Sequence, residues 1–162
     1  MRRDVKAMVA LMSPLSCSPE LCERIVAWRR TIHQNPEPGF QEEKTAQLIE
    51  SALKKIDKFA VRRVGTGVIA DIGKGPAVLL RADMDALELE EQTGLPFASK
   101  VPGMMHACGH DSHVAMLLGA AALIAERAAE LEHAVRLVFQ PAEESHPGGA
   151  LRMIDAGALE NV

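Results

Sequence analysis

The sequence predicts an α/β protein. Segments with helical periodicity alternate with short apolar runs of strand length, glycines stand at the turns between them, and one run is continuously apolar like a strand inside a layered sheet.

Each element has its own signal. Ser18 can cap a helix that carries Pro19 at its first position, and Leu21, Ile25, Trp28 and Ile32 then recur on one face. Asn35-Pro36-Glu37-Pro38-Gly39 stops that helix. A second helix is predicted from about Glu42 to Lys55, with Ala46, Ile49, Leu53 and Ile56 facing inward. Strands follow at Phe59 to Val64, Gly67 to Ile72 and Ala77 to Ala82, divided by Gly65-Thr66-Gly67 and Gly73-Lys74-Gly75-Pro76. The continuous run Val78-Leu79-Leu80 predicts a strand covered on both faces. Glu88 to Met105 reads as a long loop, a length usually kept for function. An Ala- and Leu-rich helix from about Ser112 to Leu131, a strand from Ala134 to Phe139 and a short helix from Gly149 to Ala156 complete the order.

Composition narrows the function. With 48% apolar and 25% charged residues, the 162-residue chain has the balance of a globular domain, not of a disordered one. Its 22 acidic residues outnumber 18 basic ones, and it has no Tyr, one Trp and four Phe. That leaves neither a basic surface nor a stacking platform for nucleic acid, so none is expected. No stretch approaches the roughly 20 apolar residues of a membrane span. Asp4 and Lys6 interrupt a faint signal-peptide pattern between Met1 and Met12. Cys17, Cys22 and Cys108 are too few and too oddly spaced for a disulfide scaffold, and the expected compartment is the cytoplasm.

In layered sheets, ligands collect beyond the carboxyl ends of the strands. Here one strand runs into Asp83-Met84-Asp85 and another into Gln140-Pro141-Ala142-Glu143-Glu144, with His106-Ala107-Cys108-Gly109-His110-Asp111 between them in sequence. Carboxylates gathered at an apolar sheet repel one another unless a cation neutralises them. Thiolate, imidazole and carboxylate are ligands that zinc, cobalt or manganese accept. Taken singly, each group has a plainer reading: Asp83-x-Asp85 as a turn or cap, Glu143-Glu144 as a solvated pair, Cys108 and His110 as a packed thiol and a surface ring. Their recurrence at three successive junctions favours a metal site. A Cys108 nucleophile with a base drawn from His33, His113, His133 or His146 is the competing reading. His113 can serve simply as a cap, and His146 stands in a loop that suits a solvated ring.

Four stretches, in order, resemble the M20 metallopeptidases: Arg29 to Glu42, Arg81-Ala82-Asp83-Met84-Asp85-Ala86-Leu87, Met105 to Asp111, and Phe139-Gln140-Pro141-Ala142-Glu143-Glu144. The branch they look most like is the amidohydrolases of N-acyl amino acids, such as hippurate hydrolases, aminoacylase-like carboxypeptidases and auxin-conjugate hydrolases. The resemblance runs from about Leu21 to Leu159. It implies a three-layer α/β/α catalytic domain with two divalent ions (zinc, manganese or cobalt) and an inserted lid domain that often dimerises, leaving a homo-oligomer open. It also implies that Cys108, His110 and Glu144 are metal ligands and Glu143 the general base toward water, while Asp85 matches an aspartate that orients a metal-site group. The substrate implied is a small N-acyl amino acid or peptide.

Members of that family are more than twice as long and carry further histidine ligands, a lid domain and the rest of the catalytic domain. Residues 1–162 are therefore expected to be the N-terminal part of a catalytic domain, and Glu88-Leu89 departs from the branch's usual proline and apolar residue. The alternative expectation is a truncated, inactive remnant that only binds metal or a partner chain.

Overall fold

The structure, a computed structural model, describes residues 17–162. The signal-peptide reading of Met1 to Met12 lies outside them.

Helix α1 spans Pro19–Gln34, and Ser18 Oγ accepts the Leu21 N–H at 3.2 Å, the cap the sequence predicts. Helix α2 spans Glu43–Ile56 and buries Ala46, Ile49 and Leu53. Its first turn is capped from a distance: the Glu37 carboxylate accepts the N–H groups of Lys44 and Thr45 and the Thr45 hydroxyl. Strands β1 (Ala60–Val64), β2 (Gly67–Ile72) and β3 (Ala77–Asp83) precede helix α3 (His110–Glu126), a 3-10 turn at Ala128–Glu130, strand β4 (Ala134–Gln140) and the short helix α4 (Ala150–Asp155).

The four strands form one mixed sheet in the order β1-β2-β4-β3. β1 with β2 and β2 with β4 are antiparallel, whereas β3 and β4 run parallel with α3 in the crossover between them. The period-two alternation of strands sorts the side chains. Val68, Ala70, Leu137 and Phe139 face one way, into a core with Ile32, Ile49, Leu53, Val114 and Leu118 from α1, α2 and α3. Ile69 and Val138 face the other way, onto Met153 of α4 and Ala158. The α/β class and its three layers are therefore present, with a thin third layer. Gly119 lets α1 approach α3 closely, because a Cβ there would meet Ile25 Cδ1 at 2.6 Å.

Three expectations need correction. β3 is the sheet edge: Val78 is 55% exposed, and Leu79 and Leu80 are only half-buried. An apolar run says that side chains avoid water but not what covers them, and β3 has a strand on one side only. The long helix starts two residues earlier than predicted and ends at Glu126, so His110 belongs to its first turn. Cys17 and Cys22 are disulfide-bonded and Cys108 is free, a pairing that the odd cysteine count did not suggest. Among the described residues, no helix is long and apolar enough to cross a membrane.

Candidate metal centre

The parallel register of β3 and β4 aligns Asp83 with Gln140, so both strands deliver their acidic extensions to one end of the sheet. Gly109, with φ 85°, turns the chain from Cys108 into α3, a conformation that suits glycine. That turn sends His110 back toward the same end.

The ligand atoms of Cys108, His110 and Glu144 all lie within 4.8 Å of one another. Those of Asp83, His110 and His113 also do, giving a second group that shares His110. The His110 ring stands between them. Its Nδ1 lies 2.9 Å from the Asp85 carbonyl oxygen and 3.2 Å from Asp85 Oδ1. Its Nε2 points toward Asp83 (3.7 Å), Glu143 (3.9 Å) and Glu144 (4.0 Å). An imidazole nitrogen has one lone pair, so the two groups compete for it. Each group has its own internal hydrogen bond, Asp83 with His113 and Cys108 with Glu144, and Nε2 lies within 4.0 Å of both Asp83 and Glu144.

Electrostatics favours a cation at this place. The hydrogen bond to Glu144, burial and the nearby Glu143 and Asp83 charges push the Cys108 thiol up to about 11. Such a thiol is protonated at neutral pH, which argues against the nucleophile reading. Burial pushes Asp85 up, but hydrogen bonds from His110 and from the Glu144 and Glu143 backbone outweigh it and hold its carboxyl below the usual range. Burial likewise opposes Asp83, and His113, His110 and Arg81 outweigh it. His110 is lowered by burial and raised further by Asp85 and Asp83, with a net upward shift. A soft thiol, an imidazole and carboxylates in surplus of positive charge make a donor set that fits zinc, cobalt or manganese.

Sequence reasoning missed what lies behind these groups. Asp111 is wholly buried, and its Oδ2 takes hydrogen bonds from Arg29 Nε and from the His33 ring, both at 2.8 Å. The other His33 nitrogen lies 3.2 Å from Glu91, whose second oxygen accepts the Ser99 N–H in the 88–105 loop. His33 is thereby spoken for and is not a free base. His106 is buried, makes no hydrogen bond through either ring nitrogen, and is lowered by burial to about 4, so its ring is neutral. Asp111 and His106 stand in the stretch that carried the resemblance, but nothing local says which distant groups they meet. His146 and His133 are exposed, as expected of His146.

A sheet that gathers thiol, imidazole and carboxylates beyond two parallel strand ends has the donor set of a divalent-metal site. The model of peptidase family M20/M25/M40 matches residues 79–162, and this chain belongs to that family. It is 51% identical over 143 residues to the IAA-amino acid hydrolase ILR1-like 4 of Arabidopsis thaliana, covering 85% of this chain and 32% of that protein. It is 49% identical over 144 residues to the N-acetylcysteine deacetylase of Bacillus subtilis (strain 168), covering 86% and 38% respectively. A solved Bacillus subtilis protein, described as a dinuclear metal binding peptidase from the M20 family, superposes with a TM-score of 0.83 at 46% identity, covering 88% of this chain and 41% of that one. The chain thus spans about a third of the length of the curated relatives it matches. They are hydrolytic enzymes, and the α/β fold is shared with the solved member.

Proposed function

We propose that this chain carries the metal-ligating part of a catalytic domain that cleaves the amide bond of N-acyl amino acids or short peptides. The observation that carries the reading is the convergence of Cys108, His110 and Glu144, with Glu143 one residue away. The names of the relatives, an IAA-amino acid hydrolase and an N-acetylcysteine deacetylase, support an N-acyl amino acid as the substrate class. The dinuclear neighbour supports two ions.

Cys108, His110 and Glu144 would hold the metal. When bound, divalent ions supply Lewis-acid polarisation of the amide carbonyl and acidify the attacking water. Asp85 holds the His110 ring so that Nε2 is the nitrogen presented. Glu143, with its side chain 41% exposed, has room to take the proton from water and hand it to the leaving amine nitrogen. The reading assigns the reaction to the cytoplasm, where Cys108 stays reduced; the Cys17–Cys22 pair is the observation against that compartment.

The experiment pairs metal content with hippurate turnover in cobalt or manganese, on this chain and on one extended to the length of the relatives. Glu143→Ala is expected to keep metal and lose turnover, and Glu144→Ala to lose metal. Wild-type turnover in Glu143→Ala would remove it as the base. Bound metal without turnover at either length would leave a protein that only binds.

A further inference from the structure

Ala142 lies at φ 50°, in the left-handed region that a side chain resists, directly before Glu143 and Glu144. A non-glycine residue stays there only when its surroundings impose it. The imposing group is Glu42, 100 residues upstream, whose Oε1 accepts the Ala142 N–H at 2.7 Å. Its Oε2 accepts the Thr66 hydroxyl at 2.6 Å, and both Glu42 and Ala142 are fully buried. The Ala142 carbonyl in turn accepts the Gly149 N–H at 3.0 Å. Two residues on, the Glu144 N–H donates to Asp85 Oδ2 at 2.9 Å.

Two buried carboxylates from separate elements thus clamp the backbone N–H groups of one loop, Glu42 at Ala142 and Asp85 at Glu143 and Glu144. The Glu42 carboxylate also takes backbone hydrogen bonds from Phe40 and from its own N–H, so it ties the start of α2 to the Ala142 turn, and a carboxylate buried this deeply is costly unless its placement matters. We propose that Glu42 is a positioning residue for the acidic pair: by holding Ala142 in its left-handed turn, it sets the direction in which Glu143 and Glu144 face Cys108 and His110. The inference rests on the metal centre proposed above, and its test separates the two.

Glu42→Leu removes the acceptor and keeps the bulk; Glu42→Asp keeps the charge and shortens the reach; Glu42→Gln keeps an acceptor for Ala142. Leu53→Ala, in the core under α2, is the control for destabilisation alone. The probe is Co2+ titrated into this chain, read by the thiolate-to-cobalt absorption of Cys108, with amide exchange at Ala142 and Glu144 followed in the metal-free chain. Glu42→Leu and Glu42→Asp are expected to weaken Co2+ binding about tenfold or more and to speed exchange at Ala142 by a similar factor, while Glu42→Gln stays within about threefold of wild type on both. Where Glu42→Leu does not fold, Glu42→Asp decides. Co2+ affinity and Ala142 exchange unchanged in the folded variants, or lowered equally by Leu53→Ala, would overturn the role. Absence of the cobalt–thiolate band in wild type would defeat the metal centre instead, and exchange at Ala142 would then decide the positioning by itself.

Discussion

His110 turns its Nδ1 onto Asp85, 2.9 Å from the backbone oxygen and 3.2 Å from the carboxylate, so that only Nε2 faces the acidic cluster. With Nδ1 as the donor to two oxygens, Nε2 is the nitrogen with a lone pair to offer. Asp85 also accepts the Glu144 N–H, so one buried carboxylate orients two of the three candidate ligands.

Asp85→Asn tests that arrangement. The amide is isosteric but can accept through one oxygen only, and it loses the charge that favours His110 as donor. Metal affinity is expected to fall about 10–100-fold with the fold retained, as is usual when an outer partner of a ligating histidine is lost. Co2+ titration with circular dichroism as the fold control measures it, and an affinity equal to wild type would contradict the orienting role.

Cys108 carries a second prediction. A thiol pushed up to about 11 is alkylated slowly at neutral pH, and its rate still climbs about tenfold per unit beyond pH 9, where an ordinary thiol levels off. Iodoacetamide labelling of the chelated chain, followed by mass spectrometry, reads this, and added Co2+ is expected to protect the residue. A rate that levels off by about pH 8 would reveal a low-pKa thiolate and revive the nucleophile reading.

Gly149 faces the acidic-pair loop. A Cβ at this position would collide with the Pro141 carbonyl oxygen, a backbone atom that cannot swing aside like a side-chain tip. Gly149→Ala is therefore expected to displace the Pro141–Ala142 turn, costing about 1–3 kcal/mol of stability and weakening metal binding. Urea melts and metal analysis of the variant check both; a variant as stable as wild type with full metal content would show that the turn adapts.

Glu42 gives the pH dependence. Burial, the largest cause, raises its carboxyl above the ordinary 4.5, and the bonds from Thr66 and Ala142 lower it without cancelling the rise. The unfolded chain therefore ionises at lower pH than the folded one. The stability linked to this group is fully present below 4.5 and is lost as pH rises through the higher folded value. Glu42→Gln cannot ionise, so its stability relative to wild type is expected to improve over the range in which pH rises from 4.5 through the higher folded value, seen as a shift in the difference of urea midpoints. A constant difference across that range would place the ionisation of Glu42 at its ordinary value.

The reach of the sequence follows the range of the forces it reports. Helices and strands were legible because caps, turn glycines and apolar periodicity act within a few residues: Ser18 caps α1, β2 runs over Gly67–Ile72 as predicted, and Ile49 and Leu53 lie in the core. The acidic strand ends and the Cys108–His110 turn were legible as residue types that share a chemistry. Tertiary structure alone decided which of them meet. It placed β3 at the sheet edge, joined Asp85 to His110 and Glu144, paired His33 with Asp111 across 78 residues, and brought Glu42 to Ala142 across 100. Such bonds are chosen by the packing of whole layers, since a buried donor takes whatever acceptor the fold delivers to it, and nothing adjacent in the chain records which one that is.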